Sequence, residues 1–356
     1  MAGSVPIWKI HGFPKVSLYL ERFVLKHATA HIQERWQQLK NPIMKRTLYI
    51  KILSLVIVSS LFFSCQLNQN KTKQTEKVLE AQKENTWNAE EQELISLVEK
   101  LLFAAGNSDY QTLESIVSNK ANMGIAIVRD GVSKNSVITI GEFFETEKNR
   151  DGKRKPYYEP VNEYKILINK GQIAFVWADA TLHSYGVPRT NNIDNFTLIK
   201  EDGKWKFINI SFTNTQLPEE LKKFDIEVFA KSYAQVWCSQ RPNFVSYFFA
   251  EDGVLQINDG SPAKGTEAIT NVAKSFMETF PDMVVSMDSL TTNKDKTKFH
   301  WTLTGTNNGP DGTGNKVSIN GFEEWTINEE GLIQESKGYF DNKEYERQLK
   351  FGIVKK

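Results

Sequence analysis

What most constrains the fold of this 356-residue chain is an order of apolar patterns that occurs twice between Asn88 and Lys350. In the first occurrence Asn88 stands as an N-cap before apolar residues at Leu94, Leu97, Leu101 and Leu102, a spacing that predicts an amphipathic helix. Gly106-Asn107 closes it. Tyr110 to Val117 predicts a second short helix, the run MGIAIVR a strand, and ITIGEFFETEK a third helix. Four strand-rich runs follow: Tyr157–Asn169, Gln172–Leu182, Asn192–Ile199 and Trp205–Thr213. Lys170-Gly171 and Glu201-Asp202-Gly203 supply hairpin chemistry between them.

Pro218 marks the restart. ELKKFDIEVFAKSYAQVW predicts a first helix, Asn243 to Phe249 a second, AEDGVLQIN a turn into a strand, and GTEAITNVAKSFMETF a third helix stopped by Pro281. Strands are then predicted over Met283–Leu290, Lys298–Thr306, Lys316–Ile327 and Leu332–Phe340, with a closing helix from Asn342. Short helices followed by a run of antiparallel strands imply an α+β fold, helices gathered on one face of a curved sheet. The expectation is two such domains, 88–217 and 218–350.

The second copy resembles the SnoaL-like branch of the nuclear transport factor two-like superfamily. The stretches that carry the resemblance are WCSQRPNFVSYFFAEDGVL from Trp237, KGTEAI from Lys264, FPD at Phe280, WTLTGTNNG from Trp301 and NGFEEWTINEEGLI from Asn320. The first copy is similar more loosely, through IAFVWADATLHSYG and FTLIKEDGKWKFINISFT. The resemblance implies a cone-shaped, cystatin-like roll, an apolar pocket at the mouth of each cone, and dimerisation through the sheet. Cyclases of the family use an acid at the end of the last strand as base, a position matched here by Asp341. The chain departs from the family at Asn307, where catalytic members often carry His.

Upstream, Met44 to Cys65 reads MKRTLYIKILSLVIVSSLFFSC. Lys45 and Arg46 precede an apolar run from Ile52 to Phe63, and Ser64 precedes Cys65, which resembles a bacterial lipoprotein signal with its lipobox. In that family the cysteine becomes the acylated first residue, so Cys65 is expected to carry a lipid that anchors the protein in the cell envelope, in the periplasm or at the outer membrane. The expected division is therefore 1–43 as an upstream extension before a start at Met44, 44–64 as signal peptide, and 65–87 as a polar, flexible tether. A cytoplasmic tail before a membrane anchor is the other reading of 1–43; the twelve-residue apolar run is short of the roughly 20 residues a spanning helix needs.

Composition narrows the chemistry. The formal net charge is +1 and no basic patch is concentrated after Cys65, which argues against nucleic acid as a partner. Cys238 is the only cysteine beyond Cys65, and His183 and His300 are the only histidines beyond residue 43, so neither an intrachain disulfide nor a Cys/His zinc site is expected. No phosphate loop or nucleophile elbow occurs, and no cofactor or metal is implied.

Strand alternation then sorts the remaining side chains. Glu323 shares parity with Val317, Ile319, Trp325 and Ile327, placing an acid among apolar neighbours, where burial raises its pKa. Ile333, Glu335, Lys337, Tyr339 and Asp341 share one parity; if that face is concave they converge on a cavity. Otherwise Glu335 and Lys337 pair on a solvated edge and Asp341 caps the last helix. Candidate ligand contacts are Tyr233, Trp237, Trp301, Asn307, Glu335, Lys337 and Tyr339; candidate catalytic residues are Asp341 and Glu323. In the first copy Trp177, Asp179, His183 and Asn209 hold the equivalent places, although Asp179 and His183 lie roughly 13 Å apart on one strand and cannot meet. His300 is expected to face solvent and Cys238 to be a small buried hydrophobe. These residues favour a lipid-anchored protein that binds a small apolar or amphipathic molecule. The alternatives are a cyclase, isomerase or dehydratase with Asp341 or Glu323 as base, and a structural module that forms a homodimer.

Overall fold

Helix α1 (Ala89–Gly106) starts where the sequence places it, because Asn88 and Glu91 form a reciprocal capping box over its first turn. The computed structural model describes residues 87–150, 153–293 and 296–353. The stretch Met44–Cys65, the segment before it and the polar run to Asn85 lie outside the described residues. After α1 come α2 (Tyr110–Ile116), β1 (Val117–Arg129), β2 (Val132–Thr139), α3 (Ile140–Lys148), β3 (Val161–Asn169), β4 (Ile173–Ser184), β5 (Val187–Glu201) and β6 (Lys204–Gln216). The second lobe repeats the order: α4 (Ile226–Trp237), α5 (Pro242–Ser246), β7 (Phe249–Ile257), β8 (Ala263–Lys264), α6 (Gly265–Thr279), β9 (Val284–Asn293), β10 (Lys296–Thr306), β11 (Lys316–Ile327), β12 (Ile333–Phe340) and α7 (Asn342–Phe351).

The two sheets have the same topology, β2-β1-β6-β5-β4-β3 and β8-β7-β12-β11-β10-β9. Each is antiparallel except for one central parallel pair, β1 with β6 and β7 with β12. The α+β class and the sheets with helices follow the sequence reading, which gave five strands to each copy, with three corrections, one of them the short strand β8 (Ala263–Lys264). Strand β2 was absent from that reading; Asp130 (φ 50°) and Gly131 (φ 76°) turn β1 back on itself. Helix α4 starts at Ile226 rather than near Glu220, because the Asp225 side chain accepts from the N–H groups of Glu227 and Val228. Glu219–Leu221 makes only a 3-10 turn.

Each sheet closes over its own apolar core. One gathers Leu94, Val98, Val176, Phe196 and Phe207, the other Phe229, Tyr233, Phe299, Trp325 and Ile333. Contacts also cross Pro218. Gln235 donates to the Tyr157 carbonyl (3.1 Å), Arg241 to the Ser108 carbonyl (2.7 Å), and the Tyr185 and Phe248 rings meet edge to face. At Gly186 (φ 75°) a Cβ would lie 2.7 Å from the Asp225 carbonyl oxygen and 2.8 Å from Phe229 Cβ, so the β4–β5 turn must be glycine to dock there.

Candidate functional site in the second lobe

Strand β11 turns Val317, Ile319, Glu323 and Trp325 inward, and all four are buried. A lone ionised carboxylate in such a core would be expensive, and the fold answers it with three donors. Tyr233 Oη from α4 (3.1 Å), Trp325 Nε1 (2.9 Å) and Ser336 Oγ from β12 (2.6 Å) all donate to Glu323 Oε2. Burial still wins: it holds the Glu323 carboxyl above the usual carboxylate range, with the hydrogen bonds from Ser336, Trp325 and Tyr233 opposing it. Tyr233 is held well above its ordinary value, by burial first and by the Glu323 charge second.

Glu323 forms part of the wall of a cavity of about 40 Å3 whose other walls include Trp237, Leu255, Phe276, Phe299 and Trp301. Among its lining residues Glu323 is the one titratable side chain. Trp301, also a wall residue, has a buried Nε1 without a hydrogen-bond partner. The indole lies across β11 at its register partner Gly321, where a Cβ would come within 2.7 Å of Trp301 Cζ2 and clash with the Tyr339 carbonyl oxygen. The strand pairing therefore requires glycine to seat this tryptophan. The space is small, room for a few water molecules. A larger occupant must displace side chains, and Ile257, Phe276 and Phe340 are the half-buried walls.

The sequence-predicted residues divide. Tyr233, Trp237, Trp301 and Glu323 come together as described. Glu335, Lys337 and Tyr339 do not: Glu335 and Lys337 pair with each other at 3.2 Å on the half-exposed face, and Tyr339 is 42% exposed against Phe322. The reason is a β-bulge. Ile333 pairs with Ile327 but Glu335 pairs with Thr326, so Gln334 is an extra residue and alternation resumes one position later. Ile333, Ser336, Gly338 and Phe340 thereby face in. Asp341 is exposed and accepts from the N–H groups of Lys343 (3.0 Å) and Glu344 (3.1 Å), capping α7 away from the cavity walls. Asn307 anchors a loop, donating to Thr313 Oγ1 at 3.1 Å. Cys238 is half-buried; it donates to the Ala234 carbonyl and accepts from the Val285 N–H, and burial pushes its thiol up. His300 packs on Phe322 on the outer face.

In the first lobe Trp177 and Asp179 face outward from β4, whose inner residues are Ala174, Val176, Ala178 and Ala180. His183 is buried, but against Tyr158 and Ser232 rather than in the cone. Asn209 donates to the Asn122 carbonyl oxygen at the surface. The polar groups that do face the first cone's interior escaped the sequence reading: Glu159, Asn192, Asp194 and Asn214. A signal existed, since Thr190, Asn192, Asp194, Phe196 and Leu198 alternate on one face of β5. Among the described residues no group of three His, Cys, Asp or Glu side chains could hold a metal ion, and no helix is long and apolar enough to cross a membrane.

Residues 227–349, from α4 into α7, match the family model described as SnoaL-like polyketide cyclase. The second lobe thus carries one SnoaL-like domain. No curated protein was found similar in sequence. Similar solved structures include a candidate polyketide cyclase from Bacillus cereus ATCC 10987, 20% identical over 38% of this chain and 87% of that chain (TM-score 0.31). AclR of Streptomyces galilaeus, described as a candidate hydroxylase, is 18% identical over 33% of this chain and 90% of its own (TM-score 0.30). A candidate SnoaL-like polyketide cyclase from Jannaschia sp. CCS1 is 16% identical over 31% and 80% (TM-score 0.29).

Proposed function

We propose that the second lobe binds a small, mainly apolar molecule, and that a lipid on Cys65 presents the protein in the bacterial cell envelope. The observation that carries the binding reading is the composition of the cavity wall. Aromatic and aliphatic side chains surround two polar groups, the unpartnered Trp301 N–H and the Glu323 carboxyl, whose three protein donors all meet Oε2 and leave Oε1 for a ligand. An occupant that offers an acceptor to the indole N–H removes the cost of that orphaned donor. The cavity wall carries no titratable side chain besides Glu323, and its neighbour Tyr233 is held well above its ordinary value, which favours binding over acid–base turnover. Proton transfer by Glu323 alone is the second reading, supported by its raised pKa. The anchor rests on the lipobox-like sequence Phe63-Ser64-Cys65.

Native mass spectrometry of the full chain, extracted in mild detergent without added ligand, tests the binding reading. A co-purifying small molecule, lost when Leu303→Trp fills the cavity, is the expected result. A folded protein that shows only its own sequence mass, in the parent and in Leu303→Trp alike, would refute it. The same spectrum reads whether the chain is a homodimer.

A further inference from the structure

The first lobe encloses a cavity of about 180 Å3, much larger than that of the second. Its apolar wall includes Leu113, Met123, Phe143, Phe144 and Phe212, and its polar end holds Arg154, Tyr157, Glu159, Asn192 and Asn214. The polar end is built, because each amide is oriented by another group. Arg129 donates to Asn214 Oδ1 (2.5 Å), and Asn214 Nδ2 donates to Asn192 Oδ1 (2.8 Å) and Thr190 Oγ1 (3.0 Å). Thr190 Oγ1 donates to the same Asn192 oxygen (3.0 Å), so the Asn192 amide must turn its NH2 to Glu159 Oε1, which it contacts. Glu159 is 9% exposed.

The charges at this end do not balance. The Arg154 guanidinium is committed to the buried Glu147 carboxylate, which Arg150 also approaches at 3.4 Å. That leaves Glu159 without a cation of its own. One inward position along β5, Asp194 is 4% exposed, and its Oδ2 has no hydrogen-bond partner. Burial lifts Glu159 to about 7 and Asp194 to about 8; the Asn192 amide and Arg154 oppose the first, while Glu159 and Asp179 reinforce the second. Of the other groups around the site, Glu99 and Lys100 stand on α1 across the groove that also reaches Glu159, and Tyr164 of β3 feels the Asp194 charge. None of them is a buried cation free to pair with Glu159. A largely apolar cavity with a buried carboxyl at one end that has no ion-pair partner calls for a ligand that brings the missing positive charge.

We propose that the first-lobe cavity is a binding site for a small amphipathic amine, its ammonium held by Glu159 and its apolar body against Phe143, Phe144 and Phe212. The ligand pairs with ionised Glu159, so binding is coupled to release of a proton from the empty site. A neutral ligand that accepts a hydrogen bond from protonated Glu159 would show the opposite pH dependence.

Isothermal titration of the full chain with benzylamine, and with its neutral counterpart benzyl alcohol, separates these cases. The fraction of Glu159 ionised rises about tenfold between about pH 6 and about pH 8.5, and benzylamine remains cationic, so its affinity should rise about tenfold. Benzyl alcohol should bind more weakly at the higher pH. Glu159→Gln, shown folded by circular dichroism, should lose both the binding and the pH dependence, and Asp194→Asn should weaken binding. Val137→Thr, at a position of β2 that is 81% exposed and lines neither cavity, should leave benzylamine binding unchanged. The proposal is overturned if benzylamine does not bind saturably at either pH. It also fails if affinity falls as pH rises, or if folded Glu159→Gln binds benzylamine as the parent does.

Discussion

Glu159→Gln should make the protein more stable at neutral and alkaline pH and leave its stability at about pH 5 unchanged. In the unfolded chain this carboxyl ionises near its ordinary 4.5, whereas burial in the first-lobe cavity holds it at about 7. Between those values the folded state keeps a proton the unfolded state has released. The contribution is full below the unfolded value and is lost as pH rises through the folded one. The gap corresponds to about 3 kcal/mol of destabilisation above pH 7 in the parent. The glutamine keeps an acceptor for the Asn192 NH2 but must seat its own amide, so a net gain of about 2 kcal/mol is expected. For a chain of this size that is an increase in Tm of about 6 °C at about pH 8.5. Differential scanning calorimetry of parent and variant from about pH 5 to about pH 9 reads it directly. A variant that melts below the parent at pH 8.5 would show that ionised Glu159 already has its partner in the folded protein, and the charge accounting of the cavity would be wrong.

The second lobe supplies further tests. Ser336→Val removes the shortest donor to Glu323 (2.6 Å) and should cost about 1–3 kcal/mol in denaturant titration, with the Glu323 pKa moving further up. Gly321→Ala should destabilise more than an ordinary exposed strand substitution and quench or shift the Trp301 emission, because the new methyl meets the indole and the Tyr339 carbonyl. Asp341→Ala should cost about 1 kcal/mol through loss of the α7 cap while leaving ligand binding unchanged; a large loss of binding without a stability change would return Asp341 to the site. Cys65→Ser should move the protein from the membrane fraction to the soluble one, and retention of an unacylated protein in the membrane would refute the anchor.

Much of this architecture could be read from local patterns. Helix caps at Asn88 and the parity of β11 placed α1 and Glu323 correctly, because both depend on residues within a few positions of each other. The reading failed where one residue altered the count. The extra Gln334 in β12 turned Glu335, Lys337 and Tyr339 outward and brought Ser336 under Glu323, and nothing in QESKGY distinguishes that bulge from regular alternation. Strand β2 was missed although Asp130-Gly131 is strong hairpin chemistry, since its residues are exposed and carry no apolar alternation. The first-lobe site was half legible: the inward row Thr190, Asn192, Asp194 could be seen on β5, but Glu159 lies 33 residues from its partner Asn192, a distance only the fold closes.

The claim that the second-lobe cavity takes a small apolar ligand is tested most directly at its one orphaned donor. In a nitrogen-15 spectrum of the full chain, the Trp301 indole N–H can be assigned as the signal lost in Trp301→Phe. Titration with phenol, a small molecule that joins an apolar ring to a hydrogen-bond acceptor, should shift that signal saturably and ahead of the other indoles, as the N–H gains its partner. A protein that stays folded while the Trp301 signal remains fixed would contradict the account and leave the second cone a scaffold closed by its own side chains.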